Sequence, residues 1–217
     1  MPTPPLAPAR TVDIAPARVE RWVAGFAERH GSVTAQASSN ALVLTAADGA
    51  TAVLEPPFPP LPQGWAVDRP VENLVSHVTA PRVLGLLLVR LGGYAAGVFE
   101  AGELVTSKVG TRQVHGRSAA GGWSQQRFAR RREGQVKIAL EAAVGAAVSV
   151  LLPALPRLDV VVTGGDRTAL RAVLGDSRLA GLRALVTARV LDVPDPKARV
   201  LRDSFQAATA VRVTIAE

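Results

Sequence analysis

Apolar residues Val19, Trp22, Val23 and Phe26 fall at i, i+3, i+4 and i+7, one face of a helix that ends near His30-Gly31. Three short alternating stretches follow, Val33–Ala37, Ala41–Thr45 and Thr51–Leu54, and read as strands, with Asp48-Gly49 as the hairpin signal between the last two. The run EPPFPPLPQG at 55–64 has five prolines in ten residues and cannot continue either pattern. It marks the end of a small N-terminal α+β unit, 18–64, that begins after a Pro-rich arm, 1–17, read as flexible.

A second pattern starts at about Pro70. Glu72–Thr79 reads as a short helix; Val83–Leu91, Tyr94–Glu100 and Glu103–Val109 read as strands joined by turns at Gly92-Gly93 and Gly102. Arg112–Arg117 either extends the last strand or begins a loop, and Ser118–Trp123 leads into a long helix from Ser124 to about Leu152, closed by Pro153. Asp159–Val162 (strand), Thr168–Leu174 (helix, capped by Asp166), Leu185–Leu191 (strand), Pro196–Phe205 (helix) and Val211–Ile215 (strand) then alternate. A strand meander, a long helix and a β-α-β alternation predict an α/β (α+β) domain, 70–217, built on a mixed β-sheet with packed helices.

Composition narrows the function classes. Apolar residues are 48% of the 217, enough for a substantial core, while aromatics at 4% argue against a base-stacking binder of single strands. With no cysteine, thiolate metal sites and a Cys nucleophile are excluded. The opening MPTPPLAPAR has no apolar core of a signal peptide. The most membrane-like run, Ile138–Leu155, contains Glu141, Gly145 and Pro153 and reads as a buried core helix.

Charge then singles out one segment, Lys108–Lys137. Lys108, Arg112, Arg117, Arg127, Arg130, Arg131, Arg132 and Lys137 stand there against Glu133 alone, which equals the +7 of the whole chain and leaves the rest neutral. Such a distribution suits a partner that is a polyanion. Arg127, Arg130 and Arg131 share one face of the long helix, opposite Phe128, Val136, Ala139, Leu140 and Ala143. Four arginines among the first nine residues of the helix oppose its dipole, a placement that makes sense where phosphates gather at the helix end. A solvated charged face is the bland alternative. Gly121-Gly122 permits close backbone approach, Trp123 is an anchor or a ring against a nucleotide, Ser124 a helix cap, and His115 an RNA contact or a loop residue.

The segment GRSAAGGWSQQRFARRREGQ is similar to the signature loop of the VLRF family, release factors related to the eukaryotic ribosome-quality-control peptidyl-tRNA hydrolase, and resembles its actinobacterial branch most. The family's G-x-x-Q pattern is met by Gly122-Trp123-Ser124-Gln125. The resemblance implies a fold like the central domain of eukaryotic and archaeal release factors, whose loop carries Gly-Gly-Gln. It implies hydrolysis of the ester between a nascent peptide and tRNA in ribosome rescue, with the large subunit and peptidyl-tRNA as partners in the cytoplasm. No cofactor, metal or membrane enters. Gln125 is then the catalytic amide, Gly121, Gly122, Trp123, Ser124 and Gln126 its loop, and Arg112, His115, Arg117, Arg127, Arg130, Arg131, Arg132 and Lys137 the RNA contacts. The chain has Gly-Gly-Trp-Ser-Gln in place of Gly-Gly-Gln, so Gln126 remains a rival to Gln125. A non-catalytic tRNA-, rRNA- or ribosome-binding module using the same basic segment is the alternative.

Other chemistries fit less well. Gly122–Gln126 does not match the G-x-S-x-G nucleophile elbow. His30, His77 and His115 lack metal-ligand spacing, and no carboxylate pair for a nuclease accompanies the basic segment. Gly164-Gly165-Asp166 is too short for a phosphate-binding loop and reads as a tight turn followed by a helix cap.

Overall fold

The alternating and helical periods above form two five-stranded sheets in a computed structural model that describes residues 9–61, 69–111 and 124–216, with the backbone alone for 124–132. The chain divides into two compact units: residues 1–80 with 206–217, and 81–205.

In the first unit the sheet order is β1-β10-β4-β3-β2, from β1 (Arg10–Ile14), β2 (Val33–Ala37), β3 (Leu42–Ala46), β4 (Thr51–Glu55) and β10 (Val211–Ala216). Every pairing is antiparallel. The predicted helix is α1 (Val19–His30); a second, α2 (Pro70–Thr79), contributes Leu74 and Val78 to the same core as Phe26, Leu42, Leu44, Leu54 and Val213. Three features depart from the sequence pattern, the first being α2 itself, which the sequence assigned to the 70–217 domain and which packs in this core. Residues 10–14, inside the stretch read as an arm, are a strand because Val12 and Ile14 turn one face to this core. The last strand, assigned by sequence to the 70–217 domain, lies between β1 and β4 in the first unit. Strand partners are chosen across the chain, and local alternation carries no record of the choice.

The second unit holds the mixed sheet, in the order β7-β6-β5-β8-β9. The meander β5 (Leu84–Arg90), β6 (Gly93–Glu100) and β7 (Glu103–Thr111) is antiparallel, and β8 (Val160–Gly165) and β9 (Val186–Leu191) add in parallel. Ala101 (φ 49°) and Gly102 (φ 86°) both have positive φ, the signature of the tight primed turn that matches strand twist. β5, buried on both faces, is a run of Leu and Val, as a central strand requires.

The long helix α3 (Ser124–Leu151) lies across β6 and β7. Ala143, Val144, Ala146, Ala147, Val150 and Leu151 enter the core with Leu87, Ala96, Val98 and Val161. Small residues let the helix approach the sheet closely. Its stretch Glu133–Leu151 has the length and mean hydropathy to cross a membrane, but its alanine face packs on the second unit's sheet, as the sequence predicts. α4 (Arg167–Leu174) and α5 (Ala198–Thr209) complete the helices.

The turn from β8 into α4 behaves as the sequence predicts. Gly165 has φ 105°, and a Cβ there would collide with the Val89 carbonyl oxygen. Asp166 caps α4 by accepting from the Ala169 N–H at 2.7 Å. Gly165→Ala is therefore expected to cost about 2–4 kcal/mol, because positive φ and a backbone clash act together. Urea unfolding checks it: a midpoint unchanged from wild type would show that the turn relaxes freely.

Candidate functional site

The edge strand β7 and the start of α3 bracket the basic segment. β7 ends at Thr111, paired with Gly93, and α3 begins at Ser124. Arg112, His115, Arg117, Gly121, Gly122 and Trp123 lie outside the described residues. On the strand side of the bracket the Tyr94 ring covers its β-partner Gly110, where a Cβ would overlap it.

On the helix side, position 125 is the second residue of α3 and 126 the third. Ser124, read from the sequence as a cap, is the first helical residue; a difference of one residue is ordinary at a helix end. The first turn contains no acid, and Arg127, Arg130, Arg131 and Arg132 all follow within the helical backbone. The amide N–H groups of an opening turn have no intrahelical acceptors and carry partial positive charge. Arg132, the farthest of the four, is seven residues from Gln125, a rise of about 10 Å along the axis.

Two cations of the segment stand elsewhere. Lys108 on β7 directs its Nζ to Ser149 Oγ at 3.5 Å, the outer limit for a hydrogen bond. Ser149 is 24 residues along α3 from Gln125, about 36 Å of helix, so Lys108 does not join the helix start. Lys137 is exposed about 18 Å from position 125, between Glu133 and Glu141 at helical spacing of four. These three residues line a groove of about 560 Å³ that also includes Asp176. Beside Val136, Leu140, Val144 and Ala172, the charged lining is three carboxylates to the one lysine, so Lys137 has acidic neighbours.

The middle of α3 is held by a brace that the sequence did not reveal. Arg178 donates through Nη2 to Glu141 Oε1 at 2.8 Å and to Asp176 Oδ2 at 2.8 Å, and through Nε to Asp176 Oδ1 at 2.9 Å. Glu141 and Arg178 are 37 residues apart, so no local pattern joins them. The Arg178 side chain first, and its backbone N–H second, lower the Asp176 carboxyl from 3.8 to about 2. The sign follows directly. A depressed carboxyl stabilises the fold fully above its unfolded value and loses that contribution as pH falls through about 2. The melting difference between wild type and Asp176→Asn is expected to be small, the pair being exposed, constant from about pH 7 to about pH 5, and gone near about pH 2. A difference that grew on acidification would contradict this coupling.

The histidines of the first unit have structural partners. His30 Nδ1 is 2.8 Å from Asp48 Oδ2, and His77 Nε2 is 3.0 Å from the Phe58 carbonyl oxygen. Among the described residues no group of three His, Cys, Asp or Glu side chains could hold a metal ion.

Fold and bracket together define an α/β protein of two sheets, the second of which feeds its edge strand into an Arg-rich helix start. The family model described as "Actinobacteria/chloroflexi VLRF1 release factor" matches residues 82–214, from the second unit into β10. The chain belongs to this release-factor family, acVLRF1. No curated protein matches it. Among solved structures it is similar to an archaeal translation termination factor, aRF1 (TM-score 0.45, 14% identity, 94% of this chain and 65% of that one). An archaeal protein gives a TM-score of 0.42 at 14% identity over 92% of this chain and 64% of that one. The Vms1 mitochondrial localization core gives 0.45 at 10% identity over 90% and 80%. The chain thus spans less than two thirds of the length of the first two.

Proposed function

We propose that this chain is a peptidyl-tRNA hydrolase that releases nascent peptides from tRNA on stalled ribosomes or large subunits in the cytoplasm. The observation that carries the reading is the family match: residues 82–214 include the whole segment from Lys108 to Lys137. Gln125 in the opening turn of α3 is the group brought to the ester. Its amide has no useful pKa and does not act as a general base. It orients the attacking water and, with the N–H groups of the helix start, stabilises negative charge that develops on the ester carbonyl oxygen. Water adds to the carbonyl carbon, the bond to the ribose oxygen breaks, and that oxygen leaves with a proton. The proton passes through the substrate ribose or ribosomal RNA.

Arg127, Arg130, Arg131 and Arg132 supply the charge that draws tRNA or ribosomal-RNA phosphates to the helix start, with Arg112, His115 and Arg117 on the approach and Lys137 farthest away. Gly121, Gly122, Trp123 and Ser124 form the lead-in to Gln125, and Gln126 is its neighbour. The test is release of labelled peptide from purified large subunits carrying peptidyl-tRNA. The full chain is expected to release peptide well above the buffer rate. Binding to those subunits with release at the buffer rate would identify a non-catalytic ribosome-binding module instead.

A further inference from the structure

We infer that a groove along α1, in the first unit, is a second polyanion site and takes the phosphate backbone of RNA. The groove has a volume of about 740 Å³ and lies between the end of β1 and the exposed flank of α1. Arg18, Arg21 and Arg29 line it, all exposed, and none makes a side-chain hydrogen bond or ion pair among the described residues. With Gly25 they follow the helical spacing 18, 21, 25, 29, one stripe along the cylinder. The stripe is on the flank away from Phe26, which is buried in the core.

Three details separate this stripe from an ordinary solvated face. A surface arginine on a helix can be neutralised by an acid three or four residues away, as Arg199 meets Asp203 at 3.5 Å on α5. Here the helical neighbours include Trp22, Ala24, Gly25 and Phe26, and no acid stands three or four positions from any of the three. Ala24 and Gly25 also leave the floor open. A Cβ at Gly25 would stand only 3.7 Å from Arg29 Nη1, so this guanidinium folds over the bare backbone. Of the two acids on the groove, Asp13 is held by Arg212 at 3.5 Å, which leaves Glu28 against three arginines.

The chemistry of the row points to phosphate. The first unit has Arg10, Arg18, Arg21, Arg29, Arg69 and Arg212 as its cations, with no lysine, against eight acids, so it is net negative apart from this groove. Guanidinium groups bind phosphate oxygens in pairs and stack on planar groups, which lysine cannot do. Trp22, stacked on Phe26 at 5.6 Å between centroids, provides a fixed apolar wall beside them. The choice of RNA as the polyanion rests on the proposed function. The groove lies outside the residues matched to the family, so it adds a contact separate from the helix start of the second unit.

The experiment measures binding of the full chain to a fluorescent tRNA transcript across a salt series, and it reads no release chemistry. Arg18/Arg21/Arg29→Gln is expected to weaken binding about tenfold and to reduce the slope of log affinity against log salt by roughly 2 to 3. The triple Lys variant keeps the slope and loses part of the affinity. Lys197/Arg199/Arg202→Gln, which removes the same charge from exposed positions of the second unit, is expected to match wild type. Wild-type affinity and slope in the Gln triple variant would overturn the inference. Equal losses in the second-unit variant would overturn it too, by reducing the effect to bulk charge. So would a loss confined to phosphatidylserine vesicles with RNA binding intact.

Discussion

Gln125→Leu is expected to lower the rate of peptide release by about 100-fold or more while its affinity for the large subunit changes by less than about twofold. Removing one donor aimed at a developing oxyanion costs that much in enzymes where it has been isolated. Leucine keeps the bulk of the side chain and its tolerance of a helix, so α3 is unaffected. In the proposed reading binding rests on the arginines, and the substitution removes no charge. Gln126→Leu is the matched control, since the next position points about 100° around the helix. It is expected to retain most of the rate, and a reversal of the two phenotypes would transfer the role to Gln126.

Arg130/Arg131→Ala is expected to produce the opposite split. Both positions share one flank of α3 within two turns of Gln125. In the proposed reading two phosphate contacts are lost, which is expected to weaken ribosome binding by about tenfold or more and flatten its salt dependence by roughly 1.5 to 2 log units per log unit. Release then falls at low protein concentration and recovers at saturation, because the group at the ester is untouched. The variant is also expected to fold at least as stably as wild type. Arginines at the start of a helix oppose its dipole, and their removal relieves a few tenths of a kcal/mol each. A drop in release that persisted at saturation would place one of these arginines at the reacting ester.

These two phenotypes follow from features that the sequence displays unevenly. The meander β5–β7, the turn at Gly102, the Asp166 cap and the start of α3 were all legible, because each is set by local alternation, a glycine with positive φ or a short polar side chain. The destination of β10 was not. Val211 and Val213 alternate as any half-buried strand does, and only the complementary faces of β1 and β4 decide where they go. Charge marked out one segment without showing how its cations are spread in space. Lys108 and Lys137 belong to the same run as the arginines, and the strand and helix place them beside Ser149 and in a groove with Glu133, Glu141 and Asp176. The arginine stripe of α1 is equally written in the spacing 18, 21, 25, 29, on the flank that adjoins the apolar face at Trp22.

For the candidate site itself, the sequence identified the helix start and the structure supplied its setting. An edge strand ends at Thr111, a core-anchored helix begins at Ser124, and Arg178 braces the middle of that helix through Glu141. A rigid helix with its far half packed on a sheet can present its first turn to a large partner without losing register. Such an arrangement suits delivery of one neutral side chain by surrounding charge.

The central claim is that Gln125 performs chemistry and the arginines perform docking. Single-turnover release of labelled peptide from purified large subunits carrying peptidyl-tRNA, at saturating protein, tests it with wild type and Gln125→Leu side by side. The account predicts rapid release by wild type and release near the buffer rate by Gln125→Leu, with both proteins fully bound. Equal release by the two proteins would contradict it.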